Sequence, residues 1–366
     1  MSFADLPGTV VRLLTGAPGG LPDAALPATR ADRVGVVLLD AFGRRFLERH
    51  ADHPFLRRLH ITALRSQFPS TTAAHVTTMH TGRPVGEHGL YEWRVYEPAI
   101  DQVILPLPFA QPGGEPDSLH AAGLDPEALL AAGTLYERLA GIDCIAIHPD
   151  SFCPSTFDGV ATRGARLVPY HGIAAGAEAL ADELSRPGRR YAFLYWDAID
   201  AAGHHHGPDS REFDAACVEA LDALERAIGD ATVLVTADHG QVSVSPDRVD
   251  YLDELWPDLP RHLTHAPAGS ARDCFLHTAE PEHVAHELAQ RLEERAEVHL
   301  VADLVTKGWF GTPGPRLRAR LADVCVLPAP GRQAWLRRHA SVEQHFLGMH
   351  GGTHPDERDT WLGVYS

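Results

Sequence analysis

Four short stretches of the chain carry residues that could hold a metal ion. Asp200-Ala-Ala-Gly-His204-His-His-Gly-Pro208 sets a carboxylate and an imidazole four residues apart with glycine between them, so both can face one ion around a tight turn. Asp238-His239 offers adjacent oxygen and nitrogen donors, and Asp40 adds a third carboxylate. Met349-His350-Gly-Gly-Thr-His354-Pro supplies one more imidazole on a glycine-hinged loop, with His350 and His354 both candidates. Mixed nitrogen and oxygen donors without thiolate suit catalytic zinc, whereas all-oxygen sites suit magnesium or calcium. The supply matches two ions with three or four ligands each. Any one of the 23 histidines is more simply a product of composition, and a single Asp after a strand is more simply a helix cap. The pattern of the set carries the reading.

A candidate nucleophile lies in Phe68-Pro-Ser-Thr-Thr72-Ala-Ala-His75-Val-Thr-Thr-Met-His-Thr-Gly82. From Ala73 onward the stretch is compatible with a helix ending at Gly82. Its hydroxyls then stand at a helix N-terminus, where free N–H groups and the dipole favour an anion such as phosphate. Taken alone, the same residues also read as an N-cap run before a buried helix. Other catalytic patterns fail: there is no Gly-x-Ser-x-Gly elbow and no phosphate loop. His286-Glu-Leu-Ala-Gln290 lacks the last ligand of a zinc-protease helix, and Cys153-Pro-Ser-Thr lacks the arginine of a sulfatase signature.

The elements that must position these residues are legible as apolar runs. Arg33–Asp40, Ile142–Ile147, Tyr191–Trp196 and Thr232–Thr236 read as strands buried on both faces. Amphipathic stretches at about 126–140, 172–185 and 211–228 read as helices between or after them. Alternating strand and helix predicts an α/β fold with a mostly parallel central sheet covered on both faces. Ligands in such sheets bind beyond the carboxyl ends of the strands, where Asp40, Asp197-Ala-Ile-Asp200 and Asp238-His239 all stand. Residues 1–30 read as a lead-in segment and 31–366 as one catalytic domain. A small αβ subdomain is expected at about 270–330, with strands at 273–277, 298–301 and 323–327 and a helix over 281–296. Residues 83–125 form a Pro- and Gly-rich excursion whose Tyr91, Trp93 and Tyr96, with Tyr170, could stack a base.

Composition excludes several classes. The 366 residues are 44% hydrophobic, enough for a substantial core, and the net charge of −17 opposes binding to a nucleic-acid polymer. No apolar run reaches the roughly 18 residues of a membrane span, and the first residues lack the features of a signal peptide. Five scattered cysteines, never in Cys-x-x-Cys, read as buried thiols in a reducing compartment. The expectation is a cytoplasmic protein without membrane contact; its oligomeric state is left open.

Asp40, Phe-Pro-Ser-Thr-Thr72, Asp200-x-x-Gly-His204-x-x-Gly-Pro, Asp238-His239-Gly and the late His-Gly together resemble the type I phosphodiesterase/nucleotide pyrophosphatase branch of the alkaline phosphatase superfamily, over about 35–366. The resemblance implies an alkaline-phosphatase-like fold and two divalent metal ions, zinc by preference. One would be held by Asp200, His204 and His350, the other by Asp40, Asp238, His239 and Thr72. It implies Thr72 as nucleophile, three residues after Pro69, and a phosphothreonine intermediate. It puts His75, where nucleotide-cleaving members carry Asn, beside a phosphoryl oxygen.

The expected function is a hydrolase of small phosphodiester or nucleotide-like substrates. No cation stands out beside the phosphoryl position, since Arg44 and Arg45 should be solvated and Arg83 lies past the helix; this favours a diester over a monoester. Competing expectations are a phosphomonoesterase or phosphonyl hydrolase on the same scaffold and, more remotely, a non-catalytic His-rich metal-binding protein.

Overall fold

The computed structural model describes residues 1–26, 30–130, 133–229 and 231–365. In chain order the strands that matter here are β1 (Arg33–Leu39), β2 (His60–Arg65), β3 (Asp143–Pro149), β4 (Arg166–Tyr170), β5 (Arg190–Trp196), β6 (Thr232–Thr236), β7 (Ala268–Ser270), β8 (Asp273–Leu276), β9 (Ala296–Leu300), β10 (Val324–Pro328) and β11 (Asp359–Tyr365). The helices are α1 (Leu6–Thr15), α2 (Thr72–Thr81), α3 (Thr156–Ala161), α4 (Gly172–Ser185), α5 (Ala198–His206), α6 (Arg211–Ala227) and α7 (Pro281–Leu292).

A seven-stranded sheet runs in the order β2-β11-β6-β1-β5-β3-β4. Strands β6, β1, β5, β3 and β4 run parallel to one another, while β11 runs antiparallel to both β2 and β6. The α/β, mostly parallel architecture expected from the sequence is therefore the one adopted. Strand β1 shows why: from Val34 onward every residue is buried, because alternate side chains enter two different cores. Val34, Val36 and Leu38 pack with Leu6, Val10 and Leu13 of α1 and with Ala74, Val76 and Met79 of α2. Val37 and Leu39 pack with Leu180 and Leu184 of α4 and Phe213, Leu221 and Leu224 of α6. Helix α6 starts where the Ser210 hydroxyl accepts from the Phe213 N–H, an N-cap bond.

A second, antiparallel sheet has the order β7-β8-β10-β9. One face packs Cys274, Leu276, Val324 and Val326 on Val284, Leu288 and Leu292 of α7. From the other, Phe275, Cys325 and Leu327 enter the core that α1 and α2 share.

Several expectations are corrected. The helix expected over 126–140, of which 131–132 lie outside the described residues, is absent: Pro126–Ala128 makes a 3-10 turn and Leu135–Arg138 a separate helical turn. Gly133 at φ 87° turns the chain, and a Thr134–Glu137 capping box restarts it. Helix α7 stops at Leu292 rather than 296, where Glu293 takes φ 50° and β9 begins early. Strands β2 and β11 were not anticipated; β2 is a largely exposed edge strand without an apolar run. Among the described residues no helix is long and apolar enough to cross a membrane.

Candidate active site

Asp40 follows β1, Asp238 follows β6, and Asp200 lies in the first turn of α5 after β5. Thr72 is the first residue of α2, with Thr71 at the N-cap. Its Oγ1 lies 3.3 and 3.2 Å from the Asp40 carboxylate oxygens and 3.1 Å from His239 Nε2. His239 Nε2 in turn is 3.2 Å from Asp40 and 3.5 Å from Asp238. On the other side, Asp200 faces His204 Nε2 at 3.1 Å and His350 Nε2 at 3.6 Å, and the His239 and His350 rings stack at 3.8 Å. Two ligand sets emerge whose donor atoms lie within 4.8 Å of one another: Asp40, Asp238 and His239, and Asp200, His239 and His350.

The three histidines share one arrangement. Each approaches a backbone carbonyl with Nδ1: His239 that of Gly240 at 3.1 Å, His204 that of Gly348 at 2.7 Å, His350 that of Ser70 at 3.0 Å. A carbonyl only accepts, so each Nδ1 carries the proton and each Nε2 presents a lone pair to the carboxylates. That is the outer-shell pattern by which proteins fix the tautomer of a metal-binding imidazole. Further groups orient the carboxylates. The Tyr195 hydroxyl donates to Asp40 at 2.5 Å, Gln241 Nε2 donates to Asp200 at 2.5 Å, and the N–H groups of Ala41 and His239 donate to Asp238 Oδ1. Tyr195 and Gln241 were missed in the sequence; each stands within three residues of a predicted ligand pair or its strand end, which was the available signal.

The electrostatics are those of a site made for cations. Burial, then the facing Asp238 and Asp200, push the Asp40 carboxyl well above the ordinary range, and burial pushes Asp238 up to about 7. Burial alone would raise Asp200 too, but His204, then His350 and His239, hold it below its usual value. Asp238 Oδ2 is buried without a hydrogen-bond partner among the described residues. Buried carboxylates left in this condition are costly unless a positive charge sits among them. The donor set and the orphaned oxygen fit divalent metal ions.

The cluster opens on a cavity of about 730 Å³ that Trp93, Arg94, Phe152 and Phe346 help to line. Arg94 was overlooked in the sequence; it pairs with Glu343 at 2.6 Å. Arg44 and Arg45 pair with Glu48 and Asp209. Four expectations do not hold. His75 does not line the cavity: its Nε2 accepts from the Gln67 N–H at 2.9 Å and its Nδ1 donates to the Thr71 carbonyl at 2.7 Å, so no ring nitrogen remains for a phosphoryl oxygen. Tyr91 is buried against Phe275 and Phe310, because its ring packs the excursion onto the second sheet. Tyr96 packs on His265 and His277, and Tyr170 donates to the Tyr195 carbonyl. His354 caps the turn Pro355–Arg358 with Nδ1, leaving His350 as the late imidazole in the cluster.

Residues 34–107 and 145–353 match the family model of type I phosphodiesterase / nucleotide pyrophosphatase. The chain belongs to that family, whose members hydrolyse phosphoester bonds. It is 24% identical over 227 residues to ectonucleotide pyrophosphatase/phosphodiesterase family member 3 of Rattus norvegicus, covering 58% of this chain but only 25% of that protein. It is 34% identical over 82 residues to the bis(5'-adenosyl)-triphosphatase ENPP4 of Homo sapiens, 19% of this chain and 17% of that one. Among solved structures, murine ectonucleotide pyrophosphatase / phosphodiesterase 5 superposes with a TM-score of 0.66 at 18% identity, covering 90% of this chain and 87% of that one. Phosphonoacetate hydrolase from Sinorhizobium meliloti, in complex with phosphonoformate, gives 0.66 at 16% identity over 90% and 89%. These likenesses establish the alkaline-phosphatase-like fold.

Proposed function

We propose that the protein is a metal-dependent phosphodiesterase of small, nucleotide-like substrates that works through a phosphothreonine at Thr72. The observation that carries this reading is the Thr72 hydroxyl at a helix N-terminus, in contact with both Asp40 and His239. Asp40, Asp238, His239 and the Thr72 oxygen would hold one divalent ion; Asp200, His204 and His350 would hold the other, with zinc favoured by the mixed donors. When bound, the ions supply positive charge that makes the threonine oxygen nucleophilic and offsets charge on the departing oxygen.

The remaining roles belong to the chain. Helix α2 aims the Thr72 oxygen, and the free N–H groups of its first turn face the phosphoryl oxygens. Asp40 accepts a hydrogen bond from the Thr72 hydroxyl in the resting site, and Tyr195 keeps that carboxylate oriented. Attack forms the threonine–phosphorus bond as the leaving-group oxygen separates; water then cleaves the same bond and frees Thr72. The cavity has room for a second ester group, and its cation Arg94 is already paired with Glu343. Both support a diester or pyrophosphate over a monoester dianion. The five cysteines, all buried and free, support a reducing compartment. Comparing kcat/KM for bis- and mono-p-nitrophenyl phosphate, with phosphonoacetate as a third arm, tests the assignment. A diester preference is expected; a monoester preference of about tenfold or more, worth about 1.4 kcal/mol in barrier, would overturn it.

A further inference from the structure

A buried ion pair joins the second sheet to the loop that carries His350. Arg272, in the turn between β7 and β8, is 2% exposed, and Glu357 is fully buried. The two meet side by side. Arg272 Nε donates to Glu357 Oε1 at 3.1 Å, and Nη2 donates to Oε2 at 3.0 Å. Paired bonds of this kind fix direction as well as distance. Nη1 donates to the carbonyls of Pro328, Ala329 and Arg332 at 3.0, 3.0 and 2.8 Å, which ties the guanidinium to the end of β10 and the turn after it.

The Glu357 carboxylate passes this anchoring on to the His350 loop. Oε1 also accepts from the Gly352 N–H at 3.0 Å, and Oε2 from the His354 N–H at 3.3 Å. Gly352 permits the approach: a Cβ there would stand 2.9 and 3.0 Å from the carboxylate oxygens and 3.1 Å from Arg272 Nη2. From the loop the contacts continue to the turn before Thr72. The Gly352 carbonyl accepts from Ser70 Oγ at 3.0 Å, and the Gly351 carbonyl from the Ser70 N–H at 3.3 Å. The Ser70 carbonyl in turn accepts from His350 Nδ1 at 3.0 Å. The second sheet adds Ser270, whose hydroxyl donates to the His350 carbonyl at 3.3 Å.

Burying two opposite charges costs about what their attraction returns, so net stability explains this pair poorly. Its geometry explains it better, since the carboxylate oxygens are spent on backbone N–H groups two and four residues past His350. We propose that Arg272 and Glu357 are positioning residues for the ion site of Asp200, His204 and His350, through which the second sheet sets the place of the His350 imidazole. They act through the backbone of residues 350–354. The inference rests on the strand-end cluster holding two ions. The half built on Asp40, Asp238 and His239 is independent of the carboxylate, because only the main-chain carbonyl of Glu357 reaches it, accepting from the Gly240 N–H at 3.0 Å.

Zinc competition against a chromophoric chelator, with the visible spectrum of cobalt-loaded full-length protein, provides the test. Glu357→Gln keeps the shape but turns an amide N–H toward the guanidinium or a backbone N–H, donor against donor. The expected result is about 10–100-fold weaker binding of one ion, the other staying within about threefold of wild type. The cobalt bands of the weakened site change, and kcat falls with KM nearly constant until excess zinc restores it. Leu288→Ala, a cut in the core beneath the same sheet, lowers the melting temperature and leaves both ion affinities as they were. The proposal is overturned if folded Glu357→Gln binds both ions like wild type, if it weakens both alike, or if Leu288→Ala weakens the same ion equally. Should Glu357→Gln not fold, Gly352→Ala decides, since its methyl crowds the carboxylate; unchanged affinities there overturn the proposal as well. A wild type that takes up no ions overturns the two-ion reading and this inference with it, whereas two ions and an unmoved variant overturn this inference alone.

Discussion

The two halves of the strand-end cluster are built on different principles. Asp40, Asp238 and His239 stand just beyond β1 and β6, neighbours in the sheet with Leu38 opposite Thr236; their exposures are 1%, 0% and 0%. Sheet pairing alone brings them together. Asp200 and His204 sit one turn apart on α5, each with about 15% of the side chain exposed, and His350 comes from a distant loop. That loop is fixed by its neighbours: Ser70 bridges to Gly351, His350 holds the Ser70 carbonyl, and His204 holds Gly348. One half is preorganised by the sheet, the other by a loop stitched to the turn before Thr72. The first should bind its ion more tightly.

The largest effect should come from the residue that the first half holds. Thr72→Ala is expected to lower turnover by about 10⁴-fold or more, since alanine has no oxygen to replace the nucleophile. Metal content should stay unchanged, and intact-mass analysis of acid-quenched protein should show phosphate on the wild type alone. Near-normal turnover in the variant would place the nucleophile elsewhere.

Next in size is the contrast between halves. Asp238→Asn should cost about 10³-fold in turnover, and excess zinc should restore little of it. His350→Ala should cost about 10–100-fold and recover substantially with added zinc, because the ion is lost from the loop-built half. Metal titrations of both variants check this. Equal losses with equal recovery would show that sheet and loop preorganise the site alike.

The smallest effect on catalysis should come from His75, although it lies three residues from Thr72. His75→Asn is expected to keep turnover within about tenfold of wild type while lowering the melting temperature. Burial pulls the His75 imidazole down to about 4, so the unfolded chain takes up the proton first as pH falls from about 6.5. Stability attached to this residue is full above pH 6.5 and is lost between about 6.5 and 4, by about 3 kcal/mol in all. Denaturant titrations across that range should show a slope that the variant lacks. If the slope stays and turnover collapses, His75 is catalytic after all.

These contrasts track what could be read from residues alone. Asp40 and Asp238-His239 were legible because each closes an uninterrupted apolar run, and strand ends of a parallel sheet converge. Asp200 and His204 were legible from their four-residue spacing, although that spacing reads as a tight turn and the structure makes it one turn of helix α5. The choice of His350 over His354 needed the loop contacts, since both flank the same glycines and only the fold sends one of them to cap Pro355–Arg358. His75 was misjudged because proximity to Thr72 says nothing about which way a helical side chain points; facing inward, it holds Gln67 and Thr71. Arg94 escaped notice because its cavity exists only once the 83–125 excursion has folded back.

Strand β11 has one more consequence. It pairs on one side with β6 and on the other with β2, Asp359 lying opposite Arg65, and so occupies an interior place in the sheet although it follows the other strands in the chain. Contacts between segments so far apart in sequence form slowly, because the intervening chain must first be brought to order. Until they form, β2 has no partner within the sheet, and Ser70 and Gly351, which lie close to those two strands, have not been drawn together. A nascent or refolding chain would thus carry the sheet-built carboxylates and His239 well before the turn that holds Thr72, the proposed nucleophile, is in place.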